Sequence, residues 1–517
     1  MRQNSEKNRK PDFHDIRKEK NAVLFCLFLI TMIFGYIGTG ISNRTNPTEA
    51  MSFSERTYRI LQMFVLNYGP HAYNVFTNTA RFTGAVFSAG VILSFAWKYL
   101  VHLSEHLRVH LPGSVIVYGK GEETDLLIRQ LGFHGIQITP ESGRFLKGKR
   151  YILMSGEEDN FRFLENNPFP QDARIWLKTE TLPGILPAGR HLFMFSFEEL
   201  ASQRYWKEFP LYEDAFTTGG QPLKEVHVSV IGLGRQGNEL LYAGVQMNAF
   251  DLDQKIFYHV LADEKETATF AGTHDPDNLN QLHIILENTG WDTEKGKKVL
   301  SSSDRVILLE KDHQAEIING LLSMYPAINL DVFTATKIPE EAFLSNRNGY
   351  SAGRLRFFNR TEETDTVAEI TGASVLAEAK ERNYRYACAY GEKYKDADEA
   401  WDALNDNFKR YSNIRTVLFD HMMAECIRRY WSDMDEEKLQ QKLIRLEHRS
   451  WMNYHLISNW HYGPVRNDSV RIHPDIVPFE QLSQKEKDKD LPSARAMIAL
   501  SREEKNDRDT EKLVGNR

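Results

Sequence analysis

The distribution of apolar and polar positions divides the chain into unlike parts. Ala22 to Ile41 reads AVLFCLFLITMIFGYIGTGI with no charge, and about twenty such residues are what a helix needs to cross the hydrocarbon of a bilayer. Phe82 to Val101 repeats the pattern, interrupted only by Lys98 near its end, where a long side chain can reach the interface. Trp97 and Tyr99 stand beside it as interfacial anchors. Tyr58 to Asn67, YRILQMFVLN, is apolar at helical spacing but too short to cross, which predicts a helix resting on the membrane surface. A signal peptide competes for the first run. Its apolar stretch is too long for one, and no clear small-residue cleavage site follows.

Beyond an amphipathic connector at 102–112 the period changes. Ser114 to Gly121 is SVIVYGKG, a β-branched run feeding a Gly-x-Gly turn, followed by a helical stretch, Glu122 to Leu131, and a second strand, Gly135 to Thr139. Tyr151–Met154, Arg174–Lys178 and His191–Phe195 read as further strands. The pattern then restarts at VHVSVIGLGRQG, Val226 to Gly237, with later strands at Lys255–Leu261, Arg305–Leu309 and Asn329–Thr334. Strands alternating with helices predict parallel sheets. The expected fold class is α/β: two N-terminal transmembrane helices, two tandem Rossmann-like doubly wound domains and a C-terminal α-helical module. The expected boundaries are a basic N-terminus at 1–21, a two-helix membrane domain at 22–101, the first α/β domain at 113–215 and the second at 223–345. A helical connector at 346–404, the helical module at 405–500 and a charged, disordered tail at 501–517 complete the chain.

The glycine turns carry the candidate chemistry. Gly232, Gly234 and Gly237 form a complete GxGxxG between a strand and a helix, the context in which that motif cradles a pyrophosphate. Arg235 adds positive charge, and Asp263 ends the next strand, where an acid meets a ribose hydroxyl. Asp263 comes later than usual, and the loop Asn248 to Gln254 accounts for the delay. The first turn offers Gly119, Gly121 and Glu141, but Thr124 replaces its third glycine. Glu122 and Glu123 there oppose phosphate at a helix N-terminus. NAD(H) or another adenine nucleotide is therefore expected at the second turn before the first, and Gly234→Val is expected to abolish binding. No catalytic acid, base or nucleophile motif stands out, and His259 and His283 read as packed residues.

Charge and composition narrow the class. Net charge is -7 over 517 residues, with 41% hydrophobic and 26% charged, which argues against a nucleic-acid partner. Cys26, Cys388 and Cys426 are too scattered for a disulfide scaffold or a metal site. Arg2, Lys7, Arg9, Lys10, Arg17, Lys18 and Lys20 crowd the first twenty positions. The positive-inside rule then places both termini in the cytoplasm, in a multi-pass protein of the inner membrane. No TVGYG-like filter is present; Asn67-Tyr68-Gly69-Pro70 is the nearest run.

The C-terminal block resembles the RyR domain, the module repeated in the cytoplasmic part of ryanodine receptors. Glu447-His448-x-x-Trp451, Trp460-x-Tyr462-Gly463-Pro464, His473-Pro474, Val477-Pro478-Phe479 and Glu486-Lys487-x-x-Asp490 carry the resemblance. Asn459 stands where that family has glycine. The preceding architecture resembles bacterial two-span proteins with tandem Trk-type NAD-binding (RCK-like) domains. The resemblance implies regulation of ion flux by a bound nucleotide within an oligomer, and a ligand-sensing or protein-contact role for the module. His448, Trp451, Trp460 and Tyr462 could line a pocket for a nucleobase, or simply form the module's core. The expected function is a membrane-anchored nucleotide sensor that gates ion passage as a homo-oligomer and is not an enzyme. A tethered scaffold and an NAD(P)-dependent enzyme are the alternatives.

Overall fold

The computed structural model describes residues 13–68, 74–180, 191–309, 312–334, 353–404 and 406–514. Arg2, Lys7, Arg9, Lys10 and the Gly69-Pro70 pair lie outside the described residues. The chain divides into two units, Met1–His110 and Leu111–Arg517.

The first unit consists of α1 (Phe13–Thr45), α2 (Phe53–Phe64) and α3 (Val75–Arg108). By length and composition one helix, Ala22–Thr45, is able to cross a bilayer; Val75–Ser94 and Tyr99–Arg108 pass the same test only together, bent by 42°. α1 and α3 approach closely at Gly38, where a Cβ would lie 2.6 Å from the Thr77 backbone nitrogen. Asn74 caps α3 through Thr77 N–H and donates to Gly38 O at 2.8 Å. Thr31 and Thr83 hydrogen-bond across the pair at 2.8 Å, and Arg56 of α2 donates to Thr39 Oγ1 at 3.0 Å and to Tyr36 O. Polar groups thus meet inside while Phe25, Ile33, Ile92 and Leu93 are exposed. Met63, Tyr68 and Ala80 form a small apolar core beside these polar contacts.

The second unit opens with a five-stranded parallel sheet, β1 (Val115–Tyr118), β2 (Gly135–Ile138), β3 (Arg150–Leu153), β4 (Arg174–Lys178) and β5 (His191–Phe195), in the order 2-1-3-4-5. Its helices are α4 (Glu122–Leu131), α5 (Glu157–Asn166) and α6 (Phe197–Glu208). A short α7 (Tyr212–Ala215) leads to the second sheet: β6 (Glu225–Ile231), β7 (Lys255–Leu261), β8 (Ile284–Leu286), β9 (Arg305–Leu308), β10 (Leu330–Thr334) and β11 (Leu355–Asn359). All its pairings are parallel and its order, 11-10-9-6-7-8, is the doubly wound dinucleotide-binding topology. α8 (Gly234–Met247), α9 (Glu264–Ala271), α10 (Pro276–Gln281), α11 (Glu294–Ser301) and α12 (Gln314–Met324) connect the strands. Alternation along β6 explains the two layers. Val226, Val228 and Val230 enter the core that holds α8, and Ile231 enters the core under α11 and α12.

The second sheet does not end at 345 as expected. β11 pairs with β10 after residues that lie outside the description, so the domain extends to Asn359. The two folds interlock through α6, whose Trp206 donates from Nε1 to Leu240 O at 2.9 Å and packs against Gly244 of α8. The segment after α6 is clamped onto the second sheet. Arg305 of β9 donates to Asp214 at 2.6 Å and to the carbonyls of Phe209 and Pro210 at 2.6 and 3.1 Å. Asp331 of β10 accepts two bonds from Arg356 and one from Tyr205.

The remaining helices are α13 (Arg360–Thr364), α14 (Val367–Thr371), α15 (Ala373–Ala389), α16 (Ala397–Ala403), α17 (Asn407–Tyr430), α18 (Glu436–Ile457), α19 (Gln484–Lys487) and α20 (Leu491–Val514). The region expected as a helical connector at 346–404 contains β11 and continues in separate helices, with Asp396 capping α16 and Asp406 capping α17 at their N-termini. The tail expected to be disordered from 501 continues α20 to Val514. Its sequence is rich in Arg, Glu and Lys and contains no proline, which favours a helix. A small parallel pair, β12 (His461–Tyr462) and β13 (Ile472–His473), closes the module.

This module is docked on the second fold. Ser450 and Asn453 donate to the carbonyls of Gln246 and Val245 at the end of α8, and Arg449 donates to Asp251 and Leu252. The long Asn248–Gln254 loop that delays Asp263 is therefore the platform on which α18 sits. Asn459, the departure from the glycine pattern, has φ +60°. Asparagine tolerates that left-handed conformation, and here its amide also accepts from Asp275 N–H at 2.9 Å and donates to Thr273 O at 2.7 Å.

Candidate functional site

The glycine turn of the second fold stands where its topology places a ligand, between β6 and β9. Gly232 and Gly234 have φ of +86° and +50°. Gly237, one turn into α8, allows close packing, since a Cβ there would lie 3.2 Å from Leu309. The charges around the turn differ from the local reading. Glu266, from the first turn of α9, brings Oε1 to 3.8 Å from the Cβ position of Gly234. Arg235 pairs at 3.1 Å with Glu180 of the first fold. Asp263 caps α9, accepting from Glu266 N–H at 2.8 Å. No acid opposes phosphate within the motif itself, yet tertiary structure delivers two beside it.

In the first fold the correction runs the other way. Glu123, expected to repel phosphate, pairs with Lys178 at 2.6 Å and Arg360 at 3.5 Å. Glu141 stands at the end of β2 as expected, and Lys120 of the turn Gly119-Lys120-Gly121 forms an ion pair with it.

A cavity of about 640 Å³ lies beside the outer face of α8, and three modules line it. The first fold supplies Ser196 and Glu198; α8 supplies Asn238, Glu239 and Tyr242; the C-terminal region supplies Tyr411, Arg415, Tyr454, Trp460 and Arg471. Phe408 stacks between Tyr454, at 4.7 Å, and Trp460, at 5.2 Å. Arg415 is the centre of this site. It is 4% exposed, its Nε and Nη1 have no hydrogen-bond partner, and Glu199 and Glu239 approach Nη2 only to 3.7 and 3.9 Å. Burial pushes Glu199 up to about 8, against the pull of Arg415, and burial also raises Glu239. Near neutral pH Glu199 therefore compensates the guanidinium weakly. A buried cation with two unpartnered donors thus stands beside a space of ligand size, which Glu180, Glu198, Asp406 and Asp468 also line. Asn238 Oδ1, also without a partner, adds an acceptor.

Of the residues singled out in the module, Trp460 lines this cavity and the other three do not. His448 hydrogen-bonds Val477 O at 2.8 Å, Trp451 packs on His455 with centroids 3.9 Å apart, and Tyr462 is exposed. The spacing rules did not find Arg415, Tyr242 or Tyr454. One signal was available. Tyr411, Arg415 and Leu418 occupy one helical stripe, and an arginine inside an apolar stripe is out of place unless it serves something.

The aromatic cluster beneath Trp460 predicts a pH response. Burial holds His455 down to about 3 and His473 down to about 4. The unfolded chain protonates these groups near 6.5, so they stabilise the fold above that pH and lose the contribution on acidification, by up to about 1.4 kcal/mol per pH unit for each proton. Asp420, pushed up to about 6 by burial, acts in the opposite sense. The difference between wild type and His455→Phe isolates the histidine. The melting temperature of the variant is expected to fall less between pH 6.5 and 4.5, and parallel curves would contradict this.

Comparison with known proteins places residues 433–501 in a match to the RyR domain model. The match begins later than the expected boundary near 405. Among solved structures, one chain described as "GsuK Channel" is similar at 12% identity, covering 72% of this chain and 86% of that one, with a TM-score of 0.31. A probable 2-hydroxyacid dehydrogenase from Rhizobium etli CFN 42, in complex with NADP, HEPES and L(+)-tartaric acid, is similar at 12% identity. It covers 55% of this chain and 96% of that one, with a TM-score of 0.23.

Proposed function

We propose that this protein is a membrane-anchored sensor of a nucleotide-type ligand, and that the ligand is held in the Arg415 cavity rather than on the glycine turn. The observation that carries the reading is the buried guanidinium with two unpartnered donors, in a cavity walled by aromatic rings and built by both α/β folds and the C-terminal module. An aromatic base suits the Phe408, Tyr454 and Trp460 wall, a phosphate suits Arg415, and Glu239 offers an acceptor for a hydroxyl or amino group. A ligand touching three modules favours the arrangement in which all three reach it, so binding shifts their populations. In this reading the shift passes through the connector at 102–112 to the helices of the first unit, and a homo-oligomer gates ion passage. The role is sensing, not catalysis.

Calorimetry of the detergent-solubilised chain with NAD, NADH, ATP and ADP-ribose tests ligand class and location together. Binding of at least one is expected. Gly234→Val strains a residue at φ +50° next to Arg235, which lines the cavity, but leaves Arg415 and the aromatic wall in place, so affinity is expected to stay within about threefold. Loss of binding in that variant would return the site to the turn, and no binding of any of the four would remove the nucleotide reading. Topology has its own test. A cysteine placed at Asn46 is expected to react with an impermeant reagent outside intact cells; labelling near Ser5 instead would invert the arrangement.

A further inference from the structure

A second cavity, of about 310 Å³, lies between the first α/β fold and the helices α14 to α17. Its walls are mainly apolar, with Trp176, Phe193, Ile370, Leu376, Trp401 and Ile414 among them. Trp176 Nε1, Trp401 Nε1 and Arg410 Nε, on residues of this lining, are buried with no hydrogen-bond partner. The residues that bear them are 7%, 1% and 4% exposed. All three atoms are donors. The acids nearby are already engaged, Glu199 by Gln203 at 2.9 Å, Glu369 by Arg204 at 3.4 Å and Asp402 by His191 at 2.7 Å.

Arg410 is the charged member of the group, and Asp402 is the acid that acts on it. Its Nη1 and Nη2 donate to the carbonyls of Leu192 and Trp401, at 2.8 and 2.9 Å, which satisfies two donors without neutralising the cation. Its guanidinium lies 5.6 Å from the Trp401 ring centroid, and Trp176 stacks on Phe193 at 5.7 Å, so the donors belong to one aromatic enclosure. Burying an indole N–H or a guanidinium N–H without an acceptor costs on the order of 1–3 kcal/mol. A fold that leaves three around one apolar space is shaped for an occupant with acceptors and an apolar body.

We propose that this cavity is a second binding site, for a small carboxylate with an aromatic or compact apolar body, whose anionic oxygens accept from Arg410 and the indole N–H groups. The site is separate from the Arg415 cavity, although Asn407 and Tyr411 line both.

The test is calorimetry on the full-length chain in lipid nanodiscs, with empty nanodiscs as the blank. The probes are indole-3-propionate, 3-phenylpropionate and 3-cyclohexylpropionate, each set against the alcohol of the same carbon skeleton. At least one acid is expected to bind about tenfold or more tightly than its alcohol, since only the acid offers charge-matched acceptors. Trp401→Phe keeps the aromatic wall and removes one donor. It is expected to weaken the acid about fivefold and leave the alcohol unchanged. Acids and alcohols of equal affinity, no binding of any of the three acids, or an acid affinity indifferent to Trp401→Phe would each overturn the proposal. The acid–alcohol comparison uses the unaltered protein and so stands even if the variant fails to fold.

Discussion

Replacing Arg415 with glutamine is expected to weaken nucleotide binding about a hundredfold, because removing one partner of a buried charged contact typically costs about 2–5 kcal/mol. The fold is expected to survive. Glu199 is already raised to about 8 by burial, and losing the nearby cation raises it further, so the carboxyl left behind is neutral near pH 7 rather than a stranded charge. Arg415→Lys keeps the charge but not the planar fork, and is expected to fall between wild type and Arg415→Gln. Calorimetry with the tightest of the four nucleotides measures the loss, and the thermal melt reports whether the fold is intact. Wild-type affinity in Arg415→Gln would remove the cavity from the binding account altogether.

Arg305→Met is expected to have the opposite profile, a large loss of stability with no direct contact to any ligand. Arg305 is fully buried and holds Asp214, Phe209 O and Pro210 O, so one substitution strips an ion pair and two carbonyl bonds at once. Burial works against the charge of Asp331, but Arg356 and Arg305 hold its carboxyl below the usual range. Breaking a buried pair in this way costs about 3–5 kcal/mol. The urea midpoint and the resistance of the second fold to trypsin are expected to fall together. An unchanged midpoint would mean that Arg354 and Arg356 alone satisfy the two aspartates.

These two arginines mark the boundary between what sequence and structure can each say. Strand positions, the glycine turns and the apolar character of Ala22–Ile41 were readable because each is a local property. Period, turn chemistry and run length report on the backbone of the residues that carry them. The chain order of the elements likewise made the parallel α/β class readable. The strand order 11-10-9-6-7-8 was not, nor was the sixth strand beyond 345, because pairing depends on which segments meet in space.

The glycine turns show the same limit in electrostatics. Counting charges along the motif left the second turn free of acids and burdened the first with Glu122 and Glu123. The fold brings Glu266 and Glu180 to the second turn, and brings Lys178 and Arg360 to Glu123 in the first. Asn459 is an intermediate case. The departure from the glycine pattern was visible, and its left-handed φ follows from the residue types that tolerate it. That its amide docks the module onto Thr273 and Asp275 was not visible.

By itself the sequence determined the α/β class, two glycine turns and a C-terminal module with the RyR pattern, and of the two spans it predicted one is an unbroken apolar helix long enough to cross a bilayer. Tertiary structure alone decided which charges and rings meet at the cavity. Arg415, Tyr242, Trp460 and Ser196 lie on four separate segments, and the potential at any point is a sum over charges near in space, few of which are near in the chain.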